Sequence, residues 1–95
     1  MGDVFSAERR FEEALAEYKR VAEIDSLFQN VYYNIGVVEI HLNNADEALA
    51  ALLKQRQTWD TPRNERLLAG VYDAKGMSKE AEAARAKAAE LAEKK

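Results

Sequence analysis

The chain has 95 residues, no cysteine, one histidine, 33% charged residues and a formal net charge of −3. One small domain fits that length, and the composition excludes a disulfide framework, a thiolate metal site and an ordinary zinc site. The acidic balance disfavours nucleic acid, no apolar run could span a membrane, and Met1-Gly2-Asp3-Val4 does not open a signal peptide.

Apolar residues recur at intervals of three and four along the chain, and sustained period-two alternation is absent, so the fold class is all-α. A short first helix is expected over 2–8. The second, over 11–24, carries Phe11, Ala14, Leu15, Tyr18, Val21 and Ala22 on one face. Ser26 with Gln29 reads as a capping box opening a helix over 27–42. Asn44 with Glu47 forms a second box before 45–58, where Ala45, Ala48, Leu49, Leu52 and Leu53 repeat the apolar figure. Thr61-Pro62 caps a helix over 62–75, and Gly76 can close it in a left-handed conformation. The last helix, 78–94, has a thin alanine face of Ala81, Ala84 and Ala88 with Leu91. Short linkers make consecutive helices antiparallel neighbours.

An internal repeat orders these helices. Ala14, Ala48 and Ala81 stand at matching places, 34 and 33 residues apart. Phe11-Glu12-Glu13-Ala14-Leu15 aligns with Ala45-Asp46-Glu47-Ala48-Leu49, and Tyr32-Tyr33-Asn34-Ile35-Gly36 with Glu65-Arg66-Leu67-Leu68-Ala69. A helix–turn–helix unit of this period and spacing resembles the tetratricopeptide repeat family over essentially the whole chain. The resemblance implies a right-handed α-solenoid of antiparallel helix pairs. A partial first repeat would occupy 1–26, a second 27–60 and a third 61–95, the last with a polar outer helix. Met1 would fall inside a first helix, as in a piece of a longer repeat protein. Small residues should let paired helices approach, with Gly36 or Ala69 facing Ala48 or Ala81.

Departures from the family pattern raise further expectations. Ser26 and Asp60 replace the proline usual between repeats, Glu39 a tyrosine, and Arg85 a large apolar residue. Gln55 and Arg56 interrupt an apolar stretch, which should weaken the contact between the second and third repeats. A truncated first helix should fray, leaving Phe11, Leu15 and Tyr18 at an open edge that favours self-association.

Catalysis has little to stand on. Ser6, Ser26 and Ser78 lack an evident base, His41 lacks a partner, and Glu12-Glu13 and Asp46-Glu47 suit first turns of helices. No enzyme activity, cofactor or metal is expected. His41 is placed to face the negative end of its helix, and Trp59 to pack over a helix junction.

The helix 27–42 is apolar nearly all round. In the family, first helices line a concave groove that holds a peptide or a partner's helix. By position, that resemblance implies a groove of Asn30, Tyr33, Asn34, Val37, Ile40 and His41, continued by Arg63, Arg66, Gly70 and Asp73. The latter four also share one helical face by their own spacing. Alternatively, Tyr33, Val37 and Ile40 fill the concave side against neighbouring helices. Asn34 and Arg63 match two positions of a carboxylate clamp, but the first-repeat positions hold Asp3 and Ser6, so a full clamp is not expected. The expected partner is a protein or peptide, of acidic character given the arginines, in a cytoplasmic setting. A structural scaffold or self-association segment without a peptide ligand is the other reading.

Overall fold

The computed structural model describes residues 2–25 and 28–93, and the side chains of 9–25, 28 and 30–93. Five α-helices form among the described residues: α1 Gly2–Ile24, α2 Val31–His41, α3 Ala45–Trp59, α4 Pro62–Ala74 and α5 Ser78–Glu93. They pack in sequence as antiparallel neighbours within 42 × 32 × 19 Å. The short dimension is that of two helix layers, as in a helical repeat solenoid.

α1 is one helix rather than the expected pair 2–8 and 11–24. Arg9 and Arg10, which span the expected turn, are good helix formers, and no glycine, proline or cap residue stops the chain there. The first segment therefore does not fold back on the second. Phe11 lies against His41 at the end of α2, so the earlier turns of α1 extend past α2. Leu15, Tyr18, Val21 and Ala22 pack with Val31 and Ile35. The residues expected at an open edge are thus half-buried against α2.

The helix expected over 27–42 is divided. Phe28–Asn30 is a single 3₁₀ turn, and α2 starts after Asn30, whose φ of 57° is left-handed. Asparagine tolerates that conformation better than most residues. The capping box expected at Ser26 and Gln29 lies outside the described residues.

Asn44 occupies the N-cap of α3 but makes no side-chain cap; its amide donates instead to Glu39 Oε1 at 3.0 Å. This bond satisfies a carboxylate that is buried where the repeat pattern prefers tyrosine. The Thr61-Pro62 start of α4 is as expected, with Thr61 Oγ1 accepting from Asn64 N–H at 3.1 Å. Gly76 takes φ 75° after α4.

Close approach within the second repeat is explicit. A Cβ added at Gly36 would stand 2.5 Å from Leu52 Cδ2 and 3.5 Å from the Ala48 carbonyl oxygen. Adjacent residues of α3 then serve two cores. Ala51 joins Val31 and Ile35, whereas Leu52 joins Leu68, Ala69, Tyr72, Ala81 and Ala84. α3 is the wall between them.

Candidate binding face and the polar joint beside it

The ten groove positions divide into a shared cleft and residues engaged elsewhere. Tyr33 and Ile40 are half-buried against the core of α3, α4 and α5. Ile40 also lines an open cleft with Leu67, Gly70, Val71 and Ala74 of α4. A side chain at Gly70 would meet nothing within 4 Å, so this part of α4 is open. Val37 and Asn34 are half-buried on α2, and Arg63 and Arg66 are exposed on α4.

The other three are committed to neighbours. Asn30 Oδ1 accepts from Gln55 Nε2 at 3.2 Å. The His41 ring stacks on Phe11 with centroids 4.6 Å apart and planes 4° from parallel. Asp73 pairs with Arg85 of α5, which explains a charged residue where the pattern prefers an apolar one. Trp59 does not pack over a junction; it is 64% exposed, and its contribution is a carbonyl that accepts from Gln55 Nε2 at 2.7 Å.

Beside this face lies a polar cluster built around Gln55 and Arg56, the two residues that interrupt the apolar stretch of α3. Gln55 is buried and fully used, since its Oε1 also accepts from the backbone N–H of Tyr33 at 3.2 Å. One amide therefore ties α3 to α2 and to the turn before it. Arg56 donates to both oxygens of Glu65, Nε at 2.8 Å and a terminal nitrogen at 2.7 Å, across the α3–α4 turn. A forked, charge-assisted pair of this kind fixes orientation as well as attraction. Glu65 is completely buried, and the Arg56 side chain is 30% exposed. Asn64, also completely buried, donates to the Leu52 carbonyl at 3.0 Å and to Asp60 Oδ1 at 3.3 Å. Lys87 of α5 reaches within 3.9 Å of Asp60 Oδ2.

The carboxylates respond in opposite directions. Burial, followed by a hydrogen bond with Glu65, pushes Asp60 up to about 6. Burial would raise Glu65 too, but the hydrogen bonds from Arg56 and Asp60 outweigh it and hold Glu65 below its usual range. The bond to Glu65 raises Arg56 in turn. Of the two residues expected to weaken the contact between repeats, Arg56 bridges it, whereas Gln55 bonds within the second repeat. The available signal was complementarity: Arg56 and Glu65 break the apolar pattern with opposite charges on either side of one turn.

A model of the tetratricopeptide repeat family matches residues 29–55, which run from the turn before α2 to Gln55 of α3. The match covers one helix pair, and the close approach of α2 and α3 at Gly36 and Leu52 agrees with the small-residue contacts of such a repeat. No curated protein matches it. Repeats of this family generally mediate protein–protein interaction and are typically non-catalytic. No described helix is long and apolar enough to cross a membrane. No group of three or more His, Asp or Glu residues is placed to hold a metal ion among the described residues.

Proposed function

We propose that the chain is a non-catalytic interaction module that holds an extended, acidic protein segment against α2 and α4. The observation that carries this reading is the cleft between Ile40 of α2 and Leu67, Gly70 and Val71 of α4. Its walls are apolar, while Arg63 and Arg66 stand exposed on the same helix as Gly70. Apolar side chains of a partner would enter the cleft, and its carboxylates would meet the arginines. Tyr33, Asn34 and Val37 complete the face; Asn30, His41 and Asp73 shape the scaffold around it. The division into units at 1–26, 27–60 and 61–95 belongs to the same proposal, with α1 standing where the second helix of a repeat would stand.

The scaffold reading draws on one observation, the packing of the half-buried Tyr33 and Ile40 against the core of α3, α4 and α5. Titration with mixed acidic and basic peptide pools separates the readings. Acidic peptides should bind more tightly, added salt should weaken them, and Arg63→Glu with Arg66→Glu should remove the preference without changing the helical signal. A double variant that keeps the same ligands at the same affinity would dismiss the α4 face. Binding of no peptide by the native chain would favour the scaffold.

A further inference from the structure

The joint between α3 and α4 pairs its two carboxylates unequally. Asp60 and Glu65 are both withdrawn from solvent, with side chains 12% and 0% exposed. The Arg56 fork is fully engaged by Glu65. For Asp60 there remains Lys87, 3.9 Å away on α5 and itself 45% exposed. Two acceptor oxygens in the joint, Asp60 Oδ2 and Asn64 Oδ1, are buried without a hydrogen-bond donor. Such atoms carry a desolvation cost that a donor would remove. Asp60 Oδ1 is satisfied by the Thr61 N–H at 3.1 Å and by Asn64 Nδ2, so Oδ2 is the oxygen left over.

We propose that the α3–α4 joint is an acid-tightened switch, in which protonation of Asp60 supplies the missing donor and locks the two repeats together. A proton on Asp60 turns an unpaired acceptor into a donor and removes one of two facing negative charges. The groups facing Asp60 are Arg56 from α3, Glu65 from α4 and Lys87 from α5, with Tyr72 of α4 beside Arg56. Glu65 is the carboxylate that faces Asp60 and is the acceptor available to the new donor.

The direction of the pH effect follows from the shifts. A carboxyl raised from 3.8 to about 6 stabilises the folded joint fully below its unfolded value, and that contribution is lost as pH rises through about 6. Glu65, held below 4.5, acts the other way: its contribution is present above 4.5 and lost as pH falls through its lowered value. Between about pH 7.5 and about pH 5, Asp60 governs, and the joint tightens on acidification.

Urea unfolding of the full chain across that range tests the switch. Helical signal reports the whole stack, and fluorescence of Trp59, next to Asp60, reports the joint. The native midpoint should rise as pH falls. Asp60→Asn keeps the Oδ1 acceptor and mimics the neutral group, so it should raise the midpoint near pH 7.5 and flatten the slope. Lys87→Met removes the remaining counter-charge and should steepen it. His41→Gln, which removes the single histidine, should leave the slope unchanged. A flat native profile, a slope that survives Asp60→Asn, or one that disappears with His41→Gln would overturn the proposal. Should Asp60→Asn fail to fold, an unaltered slope in Lys87→Met would overturn it instead.

Discussion

Helix α3 faces two neighbours, and they are held by different forces. Toward α2 the contact is steric: Gly36 leaves space for the fully buried Leu52, and Ala48 lets the helices meet. Toward α4 the turn is fastened by the Arg56–Glu65 fork and the buried amide of Asn64. The close approach inside the repeat depends on volume, with the Gln55 amide as a polar tie to α2. The joint between repeats depends on charge and hydrogen-bond balance. A volume error spreads through a close-packed interior. A charge error concentrates on one buried group. The two faces should therefore fail differently.

The largest loss is expected at the joint. Arg56→Met leaves Glu65 buried without its cation, which should destabilise by about 2–4 kcal/mol, below the deepest cases because Arg56 is partly exposed. Pairing it with Glu65→Leu removes both charges and should recover most of that loss, since apolar replacement of a buried pair is often neutral. Chemical denaturation of the single and double variants measures the coupling. Equal, additive losses would show that the fork contributes nothing specific.

The steric face should respond less, and without rescue by charge. Ala48→Leu would force α2 and α3 apart and cost on the order of 1–3 kcal/mol. Ala50→Leu, on the exposed side of the same helix, should stay within about 0.5 kcal/mol of the native protein. Matching midpoints for the two variants would contradict the close approach of the pair.

The same contrast explains what was legible in the sequence. Steric contacts leave a periodic trace, so Ala14, Ala48 and Ala81 with Gly36 gave the repeat, and the stops at Thr61-Pro62 and Gly76 were chemically explicit. The 2–8 break was wrong because residues 9 and 10 offered no stop, and repeat register suggested a turn that helix propensity did not support. Asn44 read as a cap, but a buried carboxylate five residues earlier claimed its side chain. The joint was missed because Gln55, Arg56, Asp60, Asn64 and Glu65 are each ordinary surface residues in one dimension. Only the antiparallel turn brings them together. For the candidate face, residue spacing placed the positions on α2 and α4, but it could not tell Arg63, which is exposed, from Asp73, which is paired with α5.

The smallest effect should arise where the two regimes meet, at Asn30. Its backbone is left-handed, and its side chain accepts one hydrogen bond from Gln55. If the backbone is its main task, glycine should replace it with little loss, because glycine adopts positive φ without a Cβ penalty. The lost acceptor is partly compensated, since Gln55 Nε2 still donates to the Trp59 carbonyl at 2.7 Å. Asn30→Gly should therefore change stability by no more than about 0.5–1 kcal/mol, the net contribution of one hydrogen bond. Asn30→Ala loses the same bond and also imposes left-handed strain, which costs roughly 1–2 kcal/mol for a residue with a Cβ. Denaturation midpoints in the order native, glycine, alanine would identify Asn30 as a backbone hinge at the start of α2. Equal losses for glycine and alanine would mean that the hydrogen bond to Gln55 matters more than the conformation. The joint's polar network would then extend past α3 into the turn that opens α2.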